Sequence, residues 1–362
     1  MRKKIFFVLG ILFFVGIVFF VLQGPKFFPI ILEFLFNREI ELKKTENNIN
    51  VILLGTGGGV HQGPDLTDTI IFASIDPGKN RVVLVSIPRD LWVPDLRAKI
   101  NSAYAYGNSK KEQGGLILAK AVVADIINQP IDYAIRIDFN GFVKAVDLIG
   151  GLDVDVERTF DDFEYPIVGS EDDLCGRKEE EIELLATASS QLEAFPCRYT
   201  HVRFNQGIQH MNGETALQFV RSRHAEGEEG TDFARSKRQE KIIASFKDKV
   251  FALETLVNPV KVIGLYSTIK DSIDTNIQEE EIDDFIKLAQ KMQEAVIYSA
   301  TIDYGDEKQD RPGLLLNPPI SSDFRGQWVL IPRIGNGDFS EIQKYVECEI
   351  KVGECPIAEN PL

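Results

Sequence analysis

The sequence predicts an α/β fold, three α-β-α layers around a mixed central sheet, preceded by one N-terminal transmembrane helix. Three observations carry that expectation. From about Asn50, short β-branched and apolar runs alternate with stretches of helical periodicity, the pattern of a layered α/β domain. The turn Asp76-Pro77-Gly78-Lys79-Asn80 joins two of those runs as a hairpin, so the sheet cannot be wholly parallel. Met1-Arg2-Lys3-Lys4 is followed by an uncharged apolar run, Ile5 to Leu22.

That run of about 18 residues would span roughly 27 Å as a helix, close to the hydrocarbon thickness of a bilayer. It leaves through Gln23-Gly24-Pro25-Lys26 without a small-x-small cleavage site, so it reads as an uncleaved anchor rather than a signal peptide. The basic residues then hold residues 1–4 in the cytoplasm and place everything after Lys26 outside. Residues 23–49 read as a juxtamembrane linker, residues 50–305 as the main domain, and residues 306–362 as a C-terminal extension.

Within the domain, Val51–Leu54, Thr69–Ile75 and Arg81–Ile87 read as strands bounded by Gly, Pro and Asp. Leu116–Ile127 has helical periodicity and stops at Asn128-Gln129-Pro130. Asp132–Ile137 reads as a strand, Phe139–Leu148 as a helix closed by Gly150-Gly151, and Leu152–Val156 as a further strand. Residues 160–207 break the rhythm with acidic clusters, and read as a surface insert that is partly helical around Ile182–Leu192. Asn212-Gly213-Glu214 starts a helix through Ala216–Val220. Phe233–Leu253 is a long amphipathic helix, followed by a helix at Glu279–Met292. In the tail, Trp328–Pro332 reads as a strand and Ser340–Val346 as a short helix.

The net charge of −15 argues against nucleic acid as a partner, since duplex binding needs a broad basic face. The four cysteines, Cys175, Cys197, Cys348 and Cys355, suit an exported domain with two disulfides paired locally in that order. Zinc is a rival reading without a C-x-x-C or metal-spaced histidines to support it, and free thiols are the other.

In so acidic a chain, basic residues that bind a phosphate must be concentrated locally. Asp68 sits at a strand start, where α/β folds place ligands. Arg89 and Asp90 follow the strand ending at Ile87, and Lys99 precedes the helix entry Ile100–Tyr104. Arg221 and Arg223 are two apart, about 200° on a helix, so both reach one site only if the helix from Asn212 ends by about Val220. Asp232, Arg235, Arg238 and Gln239 share one helical face near a helix start, a natural anion site. Arg offers a planar fork to phosphate oxygens, and Asp can hold Mg²⁺. The glycines Gly55-Thr56-Gly57-Gly58-Gly59 lack the Gly-Lys-Ser/Thr of a nucleotide loop and read as a flexible substrate loop.

In order, Asn50–Gly55, Thr67-Asp68-Thr69, Ser86-Ile87-Pro88-Arg89-Asp90, Lys99–Tyr104, Asn212–Arg223 and Asp232-x-x-Arg235-x-x-Arg238-Gln239 resemble the LytR-CpsA-Psr family over roughly residues 50–255. The resemblance implies a membrane-anchored phosphotransferase. It would move a glycopolymer from a polyprenyl-pyrophosphate carrier to peptidoglycan, with Mg²⁺ at the pyrophosphate. It also implies that Asp68 is a metal ligand, and that Arg89, Arg221, Arg223 and Arg235 contact the pyrophosphate. Arg238 and Gln239 would support that helix, and Leu116–Ile127 and Phe139–Leu148 would line a tunnel for the lipid. Asp90 is expected to orient an arginine or accept a proton, and Lys99 to contact substrate. Gly57 stands where the family usually has a second metal-binding Asp, leaving Asp65, His61, or Asp68 with water to complete the site. Two other activities suit the same residues: hydrolysis of the lipid pyrophosphate, and non-catalytic attenuation of wall assembly.

Overall fold

A computed structural model of the chain describes residues 40–59, 63–111, 113–178, 191–251, 272–305 and 311–358. The expected anchor, His61 and the helix expected at Ile182–Leu192 lie mostly or wholly outside these residues. Among the described residues, no helix is long and apolar enough to cross a membrane.

The strands of the main domain are β1 (Ile49–Thr56), β2 (Thr67–Asp76), β3 (Arg81–Ser86), the short pair β4 (Trp92–Val93) and β5 (Ala98–Lys99), β6 (Tyr133–Asp138) and β7 (Leu152–Val156). Then come β8 (Phe160–Pro166), β9 (Tyr199–Phe204), β10 (Gly207–Met211), β11 (Ile273–Thr275) and β12 (Val296–Thr301). The tail adds β13 (Leu315–Leu316) and β14 (Ile331–Pro332). The principal helices are α1 (Ser102–Lys110), α2 (Gly114–Ile127), α3 (Phe139–Leu148), α4 (Gly213–Arg221), α5 (Asp232–Phe251), α6 (Ile282–Lys291) and α7 (Ser340–Val352).

The central sheet has the order β11-β6-β1-β2-β3-β12 and is mixed, as expected. β1 is antiparallel to β2 and parallel to β6, β2 is antiparallel to β3, and β3 is parallel to β12. The hairpin turn forms because Asp76 Oδ1 accepts from the backbone N–H groups of Gly78 and Lys79, both at 3.0 Å, an Asx turn. One face of the sheet (Ile52, Leu54, Ile70, Phe72, Val83, Val85) is sealed by α1, α2 and α7. The other (Val51, Ile71, Ala73, Leu84) packs Leu288 of α6 and Ile243 of α5. A third cluster joins α3, α4 and β7–β9 beside the sheet.

α1 and α2 cross so closely that a Cβ at Gly107 would lie 2.1 Å from the Gly114 carbonyl oxygen, so only glycine fits there. The inward residues of α2, among them Leu116, Ala119, Val123 and Ile126, are 4% exposed or less and fill the core. In this structure they are packed core.

Both ends of the described chain are more integrated than the sequence suggested. The polar linker is pinned: Glu41 N–H donates to Asp284 at 3.1 Å, Lys43 N–H to Tyr133 Oη at 2.8 Å, and Leu42 is buried. The tail is no appendage. Leu314, Leu315, Leu330, Ile342 and Val346 share one core with β1–β3, and Arg333 pairs with Glu341 in a nearly buried bridge. Cys175–Cys197 and Cys348–Cys355 are both bonded.

Candidate functional site

The strands β1, β3, β6 and β12 run in one direction and end at the same edge of the sheet, where β2 begins. Chain leaving that edge is free to present side chains rather than ladder bonds. Gly55 faces Thr69 and Thr56 faces Thr67, so Asp68 is the extra residue of a β-bulge. A bulge bends the strand and re-aims its side chain, and here it turns Asp68 to the arginines.

Arg89 Nη1 meets Asp68 Oδ1 at 2.5 Å, and Arg223 Nη2 lies 3.9 Å from the same oxygen. Arg89 Nε also donates to Asp90 Oδ2 at 3.3 Å, while Lys99 Nζ donates to Asp90 Oδ1 at 2.6 Å. Main-chain bonds fix this register: Asn101 N–H donates to the Arg89 carbonyl and Thr67 N–H to the Asn101 carbonyl. The Lys99–Asn101 segment thereby ties the end of β3 to the start of β2. Burial works against the Arg89 charge, but Asp68 and then Asp90 outweigh it and hold its pKa above the ordinary value. Asp90, bridged between two cations, orients them.

α4 begins at Asn212, whose side chain accepts from Thr215 N–H at 2.9 Å, and its last residue is Arg221. Ser222 then adopts ψ 128°. The helix stops one residue later than the two-arginine requirement anticipated, and the chain leaves helical geometry between the two arginines. Arg221 stacks its guanidinium 4.3 Å from the Phe139 ring and donates to Tyr165 Oη at 3.2 Å. Burial raises the Tyr165 pKa, against the pull of the Arg221 charge, so its hydroxyl stays protonated.

The segment after α4 is held by a residue the sequence reading passed over. Asp162 is 1% exposed. Its Oδ2 accepts from Ser222 Oγ at 2.5 Å, Arg223 N–H at 3.0 Å and His224 N–H at 3.2 Å, and its Oδ1 accepts from Glu164 N–H at 2.9 Å. Asp162 and Tyr165 both lie on β8, in the stretch expected to be a surface insert. That stretch instead supplies two struts of the site. No regular alternation in Phe160-Asp161-Asp162-Phe163 marks the strand, so the buried carboxylate carried no clear signal in the sequence.

Arg238 is buried and spends its donors on protein. Nε reaches the Phe219 carbonyl at 3.0 Å, Nη2 the Ser222 carbonyl at 2.7 Å, and Nη1 the Glu229 carbonyl and Oε2 at 2.8 and 2.9 Å. Burial pulls its pKa down to about 10, with Glu229 opposing that shift. It is a brace for the end of α4. Gln239 Nε2 donates to Thr69 Oγ1 at 3.3 Å, tying α5 to the strand that carries Asp68. Arg235, in the first turns of the same helix, is partly buried, and its N–H donates to the Thr231 carbonyl.

The structure thus gathers Asp68, Arg89, Asp90, Lys99 and Arg223, with Arg221 bonded to Tyr165 alongside. Three cations, Arg89, Lys99 and Arg223, contact two carboxylates, a net positive cluster that suits a phosphate anion. Asp65 stands apart from them: it accepts from Asn108 at 2.8 Å and lies 4.0 Å from Arg136. Among the described residues, no set of three acidic or histidine ligands converges on Asp68. The Asp68 side chain is nevertheless 29% exposed. A single partly exposed carboxylate fits a divalent cation that keeps most of its waters, as Mg²⁺ commonly does, rather than a closed cage.

Beside the site, a groove of about 260 Å³ runs between α5 and the sheet, floored by Ile71, Leu84, Ile297 and Ala300, with Ser86 and Gln239 lining it as well.

The sequence profile of the LytR_cpsA_psr family matches residues 33–313. A Bacillus subtilis (strain 168) protein, polyisoprenyl-teichoic acid--peptidoglycan teichoic acid transferase TagV, is 25% identical over 68% of this chain; the chain spans about half of that relative, 53%. TagU of Enterococcus faecalis, with the same transferase name, is 27% identical over 74% of this chain and 73% of its own length. The crystal structure of B. subtilis TagV superposes with a TM-score of 0.53 at 22% identity, covering 85% of this chain and 99% of that one. TagT bound to LIIa-WTA gives 0.52 at 18% identity, over 87% and 96%.

Proposed function

Because this chain belongs to the LytR-CpsA-Psr family, we propose that it is an extracytoplasmic transferase that moves a glycopolymer from a polyprenyl-pyrophosphate carrier to peptidoglycan. The observation that carries this reading is the arginine cluster, held in place by Asp68, Asp90 and Asp162 before any substrate arrives. The TagU and TagV relatives are named for teichoic acid transfer to peptidoglycan, which makes an anionic glycopolymer the natural cargo here.

In this reading a hydroxyl of the wall sugar attacks the phosphorus that bears the glycan. A new phosphoester bond forms, the bond to the bridging oxygen breaks, and polyprenyl phosphate departs with the proton that the hydroxyl gives up. Arg89, Arg221 and Arg223 neutralise the charge that spreads over the phosphoryl oxygens, so catalysis is chiefly positioning and electrostatics. Arg221, clamped by Phe139 and Tyr165, and Arg223, fixed through Asp162, need little reorganisation to do this. Lys99 and Asp90 keep Arg89 aimed. Mg²⁺, when bound, would add positive charge at the pyrophosphate, and Asp68 is the residue that would hold it. The groove beside the site pairs an apolar floor of Ile71, Leu84, Ile297 and Ala300 with charged lining residues Lys237, Glu240 and Glu354; a prenyl tail would lie along that floor. The run Ile5–Leu22 would keep the domain at the membrane where that carrier resides.

The test is to incubate the full-length chain, in detergent, with a lipid-pyrophosphate glycan, Mg²⁺ and wall fragments. Glycan on the wall is expected. Free phosphorylated glycan would mean hydrolysis instead, and tight binding without turnover a binder. An Arg221→Ala variant with undiminished transfer would remove the proposed site.

A further inference from the structure

The β8–β9 hairpin has two faces with different chemistry. Its inner face carries Asp162 and Tyr165, the struts under Arg223 and Arg221. Its outer face carries Asp161, Phe163, His201 and Arg203, and Asp161 pairs directly with Arg203 in the strand register. Phe163 is 46% exposed. Its ring lies flat on the His201 imidazole, with centroids 4.2 Å apart and planes 7° from parallel. His201 Nε2 is bonded to Asp161 Oδ1 at 2.7 Å, which sets the plane of the stack. Arg203 Nη1 reaches the two Asp161 oxygens at 3.3 and 3.0 Å, and its Nε reaches Asn205 Oδ1 at 3.2 Å.

The half-exposed Phe163 ring is backed by the His201 imidazole and presents a flat apolar surface with charged groups around it. A bilayer is one candidate surface, but inserting this face would bury the Asp161–Arg203 pair in hydrocarbon at heavy cost. A sugar satisfies both halves of the pattern. The C–H face of a pyranose covers an aromatic ring, while its hydroxyls and acetamido groups exchange hydrogen bonds with a carboxylate, a guanidinium and an amide set around that ring. The hairpin is also braced in advance: Ile167 N–H donates to the Arg198 carbonyl, and the Cys175–Cys197 bond ties the segments that follow β8 and precede β9. Rigid aromatic anchors lose little entropy on binding.

Resting on the transferase reading above, we propose that the outer face of the β8–β9 hairpin is a saccharide platform that holds the acceptor glycan strand. Phe163 is its stacking ring, and Asp161 and Arg203 are its polar contacts.

The full-length chain in detergent is titrated calorimetrically with a soluble hexamer of N-acetylglucosamine and with uncrosslinked peptidoglycan glycan strands. Phe163→Ala is expected to weaken saccharide binding about five- to tenfold, the worth of one aromatic contact, and Phe163→Trp to retain it. Titration of the same variants with a short-chain prenyl pyrophosphate is expected to match wild type, which shows that the fold and the arginine site are intact. Unchanged saccharide affinity in Phe163→Ala would overturn the platform, as would a wild-type chain that ignores both saccharides. Loss of binding to phosphatidylglycerol vesicles in Phe163→Ala, with saccharide affinity intact, would overturn it in favour of a membrane contact. Saccharide binding that follows Phe163 in a chain without pyrophosphate affinity would retain the platform and refute the transferase reading.

Discussion

Asp162→Ala should be the most damaging single change outside the arginines themselves. The carboxylate is 1% exposed and accepts four hydrogen bonds, from Ser222 Oγ, Arg223 N–H, His224 N–H and Glu164 N–H. A hydrogen bond to a charged acceptor is worth about 1.5–3 kcal/mol net, and a buried donor left without a partner costs about 1–3 kcal/mol. Ser222 is wholly buried and cannot turn to water, whereas the two main-chain donors beyond it belong to half-exposed residues and recover part of their loss. The sum lands at about 3–5 kcal/mol, a large share of the roughly 5–15 kcal/mol that holds a domain together. Urea unfolding followed by circular dichroism measures it. Ser222→Ala, which removes one donor and strands no charge, should cost only about 1 kcal/mol. Because Asp162 also fixes the backbone of Arg223, kcat/KM for transfer should fall further than the folded fraction does. An Asp162→Ala protein within about 1 kcal/mol of wild type, with unchanged kcat/KM, would refute the claim that this carboxylate organises the site.

Three other outcomes are expected. Arg221→Lys keeps the charge but cannot stack a planar group on Phe139; kcat/KM should fall about a hundredfold, with the unfolding midpoint unchanged. Glu349 is buried, and that burial raises its carboxyl pKa above 4.5, although Cys355 N–H and Tyr345 oppose the shift. The native state therefore holds a proton that the unfolded chain has released, and stability falls as pH rises above that range. Glu349→Gln should be more stable than wild type at pH 7, with the advantage gone below pH ~4.5, as thermal melts across that range would show. Finally, since Arg89, Lys99 and Arg223 already outnumber the two carboxylates they contact, lipid-pyrophosphate affinity in excess EDTA should remain within about tenfold of that in Mg²⁺. A complete loss of binding would show that Asp68 holds an ion without which the arginines are insufficient.

The parts of the fold that sequence made legible are those whose packing imposes one clean period. β1 and β2 are largely buried on both faces and read as apolar runs; α2 and α4 carry their own stop and start residues. β12 escaped because it is half-exposed along its length, so neither alternation nor a continuous apolar run marks it. The tail misled for a different reason. Leu314, Leu315, Leu330 and Val346 enter the common core one or two at a time between Pro, Gly and Asp loops, and no local window reveals a partner that far away in sequence. In the site, the Arg221/Arg223 spacing was informative because only a helix end lets both arginines converge. Asp162 and Tyr165 were hidden because a bulge between them breaks the period of two, and their acidic neighbours resembled a solvated surface. Arg238 shows the limit of counting charges: its helical face was right, but its donors are spent on carbonyls.

Bulges recur where this molecule needs a side chain aimed. One swings Asp68 out of β2 toward Arg89 and Arg223, and another lets β8 turn both Asp162 and Tyr165 inward toward the arginines. Regular pairing would put Asp162 and Tyr165, three apart, on opposite faces of the strand. The ladder irregularity is thus what allows a single hairpin to support two arginines from within while its charged and aromatic residues face outward. This also explains how a chain of net charge −15 can keep an anion site. The acidic surplus near the site is buried or paired, as with Asp162 on main-chain donors and Asp90 between Arg89 and Lys99, so it orients the cations more than it cancels them. Preorganised charge of that kind is worth most where water is scarce, and the clamped guanidinium of Arg221, between Phe139 and Tyr165, is where the structure concentrates it.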